Sequence, residues 1–441
     1  MATNPLNTSG YPPKSTAWCA IVVFTFVATS VQGDKSVMAL LFEPVRAGLG
    51  LSDTQMGLIQ GTSGGLAFLL ASIPIGLWVD RGHRIVILAV GSVLWSTGTL
   101  ATAFCSGFTG LFLARLLVGI GSIVVNPTGI SLVADWLQAK DRALANSVIS
   151  AGAGLGTAFG TAAGGALLAA VTLHPLWSGG TNHFAPWRTV NISFGVIAFA
   201  MTAALLLIKE PQRKDIALID ARVVTRFNRL WQYRRFLLPL ICGMTCSLTQ
   251  FMSVSIWTPA TLGRVFSLQP QQFSSWLGAV TLLASVGGSL VGGGISRLTS
   301  RGQVRDLMVT AASLSLIAIP FALYALSYSL VVFALLLAVL FLANCAARIL
   351  VTTALTTQMP NELRGLAMGV DTICSASIGL GVAPALVGWV SDRLGGGGAI
   401  VWSLASVCSL SGAGSAFFFW RAACNSAHPA PAPAVSLPAD H

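Results

Sequence analysis

Three basic side chains, Lys35, Arg115 and Arg348, fall inside long apolar runs of a 441-residue chain, and the acids Asp34, Glu43 and Asp371 fall inside or at the ends of such runs. An ionisable group set in lipid costs at least about 2.5–3.5 kcal/mol on insertion scales, so each needs a partner, water or a ligand. A cation so placed can hold an anion. A carboxylate beside one can exchange a proton, because burial raises its pKa while the cation lowers it. Asp34 and Arg115 are the pair expected to meet, with protonation of Asp34 breaking the contact; the alternative is a fixed ion pair that orients two helices. Lys35 projects about 100° from Asp34 around a helix and can reach a phosphate or carboxylate. Arg348 and Asp371 fall toward the inner end and suggest a gate there, unless Arg348 snorkels to headgroups. Glu43, before Pro44, is a candidate for an outer gate. Asn126 and Gln250 offer uncharged hydrogen bonds to a ligand or, equally, between helices. With Ser122, these residues complete the expected substrate contacts. His174 and His183 share one loop and are too few to ligate a metal, so neither metal nor cofactor is expected.

The elements that must position these groups follow from composition. Charged residues make up 9% and hydrophobic ones 54%, and mean hydropathy is +0.77; soluble proteins carry about 25% charge. Residues 85–114, 189–208, 307–344 and 394–420 contain no charge at all. Such runs are long enough to cross a hydrocarbon core as helices, the only open-ended element whose backbone satisfies itself in lipid. Twelve are expected, near 17–45, 54–79, 85–105, 109–136, 143–171 and 188–208, then 236–262, 272–296, 307–326, 329–357, 366–390 and 398–420. The chain thus divides into a tail (1–16), a six-helix bundle (17–208), a basic linker (209–235), a second bundle (236–421) and a Pro/Ala-rich tail (422–441) expected to be disordered. With the N-terminus inside, eighteen of the 25 Lys and Arg lie in cytoplasmic segments. That bias predicts a multi-pass protein of the plasma (inner) membrane with both termini cytoplasmic, and it explains the basic excess without nucleic acid. No cleavable signal peptide is expected, and the eight cysteines show no CxxC pair.

Two further patterns concern motion. Gly152, Gly156, Gly160 and Gly164 bare one helix face, for packing or for sliding. Between the second and third helices stands Gly76-Leu77-Trp78-Val79-Asp80-Arg81-Gly82-His83-Arg84. Gly76 permits close helix approach, Asp80 can accept from the amides of a facing helix N-terminus, and Arg81 and Arg84 can steady that carboxylate.

This loop resembles the GxLaDRxGRK signature of the major facilitator superfamily. The resemblance extends to its Spinster-like branch through Asp34-Lys35, residues 51–58, Ile73-Pro74-Ile75-Gly76, Arg115 with Gly119 and Gly121, Trp257-Thr258-Pro259-Ala260, and residues 378–384 leading to Gly388 and Ser391-Asp392. The family usually has Asp-Arg at 34–35 and a glutamate where Ser122 stands. The second-half counterpart of the loop, residues 292–297, has no aspartate. The resemblance implies an all-α fold of two pseudo-symmetric six-helix bundles that rock about a shared cavity, with Gly76, Asp80, Arg81 and Arg84 latching the outward-open state. It also implies a cargo class, an amphiphilic organic anion such as a lysolipid or sphingoid phosphate, with protons as coupling ion. Efflux of hydrophobic compounds and carriage of a small organic anion are the alternatives. An ATP-driven pump and an embedded enzyme are disfavoured, since no GxxxxGK[ST] or HExxH motif occurs. One chain already carries both bundles, so a monomer is expected.

Overall fold

The computed structural model describes residues 12–173, 185–208, 210, 211, 213, 223–299 and 304–426. Twelve helices of 21 to 32 residues are long and apolar enough to span a membrane, about 30–48 Å each. They are α1 (Lys14–Leu40), α2 (Asp53–Arg81), α3 (Arg84–Phe104), α4 (Phe108–Trp136), α5 (Leu144–Leu173), α6 (Pro186–Leu206), α7 (Arg234–Val265), α8 (Pro270–Thr299), α9 (Val304–Leu326), α10 (Leu330–Gln358), α11 (Glu362–Arg393) and α12 (Gly397–Asn425). Of the expected tails, residues 1–11 and 427–441 lie outside the described residues, as do His174 and His183; the first helix already begins at Lys14, and the last runs to Asn425, so residues 422–425 are helical and not disordered.

Local chemistry sets the breaks. The first helix stops at Leu40 rather than running to 45, because Pro44 has no N–H for the Leu40 carbonyl, and a short helix Phe42–Leu49 follows. It ends at Gly50, whose φ of 63° suits a residue without Cβ. Ser52 then opens α2 with a capping box: its hydroxyl accepts from the Gln55 amide, and the Gln55 side chain accepts from Ser52 N–H. Pro127 interrupts α4 in the same way as Pro44, with the break at Val124.

Helices α1–α6 pack as one bundle and α7–α12 as another; across the divide, α2 meets α11 and α5 meets α8. The glycine ridge of α5 lies inside its own bundle, where Gly156 faces the Thr29 carbonyl and a Cβ at Gly160 would sit 2.5 Å from Gly33 Cα. It is a packing surface against α1. The bundle-to-bundle face of α5 is instead marked by Gly154, Ala158 and Gly165, set against Leu282, Gly278 and Ser274 of α8.

The chain enters α1, crosses between bundles and leaves α12 at one end, the linker end. At the opposite, far end, a single apolar core runs through both bundles, from Phe42, Leu168 and Trp187 to Trp257, Phe273 and Phe333. Toward the linker end the core splits into clusters confined to one bundle each. Added Cβ atoms at Gly76, Gly365 or Gly369 would meet nothing within 4 Å. The bundles are therefore sealed together at the far end and apart at the linker end.

Candidate functional site

Asp34 on α1 and Arg115 on α4 are both buried, and Arg115 Nη2 donates to Asp34 Oδ2 at 3.0 Å. Thr99 on α3 donates to the other carboxylate oxygen at 2.9 Å, so three helices converge on this acid. The second guanidinium nitrogen, Arg115 Nη1, is buried and has no hydrogen-bond partner among the described residues. Such a donor carries a desolvation cost that an anion would relieve. Lys35, one residue on, is exposed to the same cavity and forms no ion pair among the described residues. Two cations and one carboxylate leave this wall with a net positive charge.

The cavity between the bundles has a volume of about 210 Å³. Its N-terminal wall presents Gln32, Lys35, Ser36, Gln60, Arg115 and Ser122; its C-terminal wall presents Phe251, Met252, Ile256, Leu277, Phe341 and Leu380. Phe251 and Phe341 meet edge to face, centroids 5.2 Å apart. The charged and amide side chains thus all lie on the N-terminal wall, beside Ala39, Ile59, Phe68 and Val118, while the C-terminal wall is mainly aromatic and aliphatic, with the hydroxyls of Ser255, Thr258 and Thr281. A bound molecule with an anionic head and an apolar body satisfies both.

Closure at the far end is electrostatic as well as apolar. Arg264, at the end of α7, donates to Glu43 Oε1 at 2.6 Å and to both Asp53 oxygens at 2.6 and 2.7 Å. Arg46 lies 3.1 Å from Glu43. The Asp392 carboxylate at the end of α11 accepts from Asp53 N (3.2 Å), Thr54 N (2.8 Å) and Thr54 Oγ1 (2.6 Å), closing the first turn of α2. Ser391 adds a bond to Asp53 at 2.7 Å. Every one of the Arg264–Glu43, Arg264–Asp53 and Asp392–Thr54 contacts joins one bundle to the other.

At the linker end the expected Asp80 cluster takes another form. Asp80 is exposed, and its carboxylate has no partner among the described residues. Arg84 is turned away from it, buried against Asp135, Ser131 and Glu210. Glu210 also accepts from the Arg84 amide at 3.0 Å, and Arg213 donates to the carbonyls of Val79, Asp80 and Gly82. Partial burial alone would raise the Glu210 carboxyl; the Arg84 amide and guanidinium outweigh it and hold it below the ordinary glutamate value. Arg84 thus staples the N-terminal bundle to the chain leaving α6. The facing helix that Asp80 would need lies across the open gap, near Gly365 and Gly369.

Other expected contacts are redirected. Gln250 is buried inside the C-terminal bundle, giving to the Cys408 carbonyl at 2.9 Å and receiving from Asn344 at 3.0 Å, so it joins helices instead of lining the cavity. Asn126 is exposed outside the cavity wall, and Ser122 lines it with its hydroxyl turned to the Gly119 carbonyl. Arg348 and Asp371 make no direct contact among the described residues, although each lies within reach of the other's charge. Arg348 Nη1 is buried with no hydrogen-bond partner among the described residues, while Asp371 accepts from Ser375 at 3.2 Å. Arg81 carries no ion pair among the described residues. Sequence reasoning missed the roles of Arg264, Asp53 and Asp392. Their signal was available: a charge within the first or last turn of a span, where a helix end can use it.

Comparison with known proteins places this geometry. Residues 18–384 match the family model described as Major Facilitator Superfamily. The chain is 29% identical over 160 residues to a probable L-galactonate transporter of Escherichia coli, covering 36% of this chain and 34% of that protein. It is 26% identical over 308 residues to an MFS-type efflux pump of Mycolicibacterium smegmatis, covering 69% and 68%. Over 314 residues it is 25% identical to protein spinster of Drosophila melanogaster, covering 67% of this chain and 49% of that one. The matches thus span about a third, two thirds and half of these relatives' lengths. A solved bacterial homolog of the human lysosomal transporter Spinster, inward-facing and unoccupied, shares the fold with a TM-score of 0.77 at 22% identity, covering 94% of this chain and 97% of the other.

Proposed function

The chain belongs to the major facilitator superfamily, and from that membership we propose a proton-coupled, alternating-access carrier of an amphiphilic organic anion, set in the plasma membrane with termini and linker in the cytoplasm. The observation that carries this reading is the two-faced cavity. Lys35 and Arg115 line it from one side, Phe251 and Phe341 from the other.

In this reading Asp34 is the proton site. While ionised it holds one edge of Arg115; once protonated it releases that charge to the cavity, so proton and anion bind together. The split core and the far-end ion pairs support alternating access, since one end can open only as the other closes. The present arrangement is the cytoplasm-facing state.

A second reading, a compact hydrophilic anion such as a sugar acid, is favoured by the cavity's modest volume and by Gln32, Ser36 and Gln60 beside the cations. Flux into proteoliposomes across a panel of lysolipids, aryl carboxylates and sugar acids, with and without a pH gradient, decides between them. Asp34→Asn is expected to keep substrate exchange and lose proton-driven accumulation. Undiminished accumulation in that variant would remove the proton site.

A further inference from the structure

We propose that the helix Val223–Gln232, in the linker ahead of α7, is a surface anchor that binds anionic lipid headgroups of the leaflet at the linker end. Only the assignment of that leaflet to the cytoplasm rests on the reading above. Phe227, Leu230 and Trp231 fall within an arc of about 100°, with Asn228, Arg229 and Gln232 outside it. The protein uses one edge of that arc: Leu230 is buried among Leu237, Met359 and Leu363. Phe227 and Trp231, one turn apart, stay 48% and 57% exposed, and neither lines the cavity.

Charge and position identify what covers them. Arg234 sits over the Trp231 ring at 5.8 Å, Arg235 is exposed, and Arg229 is 62% exposed while it reaches Glu362 at 3.6 Å. Residues 209–235 hold eight Lys and Arg against three acids. Only Tyr233 separates this helix from α7, so it lies where α7 leaves the bilayer. An aromatic stripe flanked by arginines at that depth fits acyl chains beneath phosphates. Through Arg229 and Glu362 the anchor also reaches the start of α11, a helix that packs across the bundle divide, so lipid charge bears on the bundle equilibrium.

Hydrogen–deuterium exchange of the peptide covering 223–232, on the full chain in nanodiscs, tests this without any transported substrate. Phosphatidylglycerol added to phosphatidylcholine is expected to slow exchange roughly tenfold, an effect removed by high salt and by Phe227→Ser with Trp231→Ser, and kept by Asn228→Ala on the opposite face. Equal exchange in the two lipids overturns the proposal. So does slowing that survives salt or the double substitution, which would assign the face to the protein itself. Failure of the carrier reading would leave these outcomes unchanged.

Discussion

The carboxylate of Asp392 closes the first turn of the helix beginning at Asp53, 339 residues earlier, accepting from the amides of Asp53 and Thr54 at 3.2 and 2.8 Å. A full negative charge thus meets the positive end of a helix dipole that belongs to the other bundle. Asp80, at the opposite end of α2, was expected to make such a contact with a facing helix, and it stands free where the bundles are apart. One end of α2 is therefore bound to the other bundle while Asp80, at its other end, stands exposed.

Asp392→Asn keeps an acceptor but loses the charge, worth about 0.5–2 kcal/mol at a helix N-terminus. The far-end-closed population should fall about 2- to 30-fold relative to the open one. Distances between spin labels at the far ends of α2 and α11, measured by double electron–electron resonance, report the shift. An unchanged distance distribution would show that the contact follows closure without favouring it.

Arg264→Ala leaves Glu43 and the buried Asp53 with only Arg46, 3.1 and 3.8 Å away, as a shared cation. Breaking a buried pair outright costs about 3–5 kcal/mol; with Arg46 in place the cost is smaller, and opening the far end to water relieves it. The variant should label readily with a membrane-impermeant thiol reagent at a cysteine placed in the far half of the cavity. Arg264→Lys should restore only part of the closure, since an ammonium cannot span two carboxylates as the guanidinium fork does.

The two walls of the cavity should separate in kinetics. Lys35→Ala is expected to raise the KM for an anionic substrate roughly tenfold or more, the scale of one lost charge-assisted hydrogen bond, and to leave an uncharged analogue unaffected. Phe251→Ala should weaken both. Transport of paired charged and neutral analogues checks this, and an equal loss for both on removing Lys35 would mean that the lysine only supports the fold.

Glu210 predicts a pH dependence of stability. Its native carboxyl titrates below the ordinary value of 4.5, so its contribution is present above that pH and disappears as pH falls through the lower native value. Melting curves taken downward from neutral pH should show the wild type losing stability below 4.5 more steeply than Glu210→Gln. The variant should be the less stable of the two at neutral pH.

The helices were legible in the sequence because lipid penalises charge and unpaired backbone so heavily that each span is written locally, residue by residue. Asp34 and Arg115 were legible for the same reason: a few ionisable groups in a charge-poor chain have few possible partners. Gln250 and Arg84 were not. Depth along a helix can be counted from its start, but which neighbour a side chain turns toward depends on how the helices pack. That rotation directs Gln250 to Cys408 and Asn344, and Arg84 to Asp135 and Glu210.

By itself, then, the sequence determined the number and approximate positions of the spanning helices, the superfamily, and the buried charges that had to find partners. Tertiary structure alone decided that Arg264 and Asp392 clasp the far end, that the cavity has one cationic and one aromatic wall, and that Asp80 stands exposed. These are contacts between residues far apart in the chain, formed as one bundle sits on the other. Nothing in the local sequence sets the angle at which two rigid bundles meet.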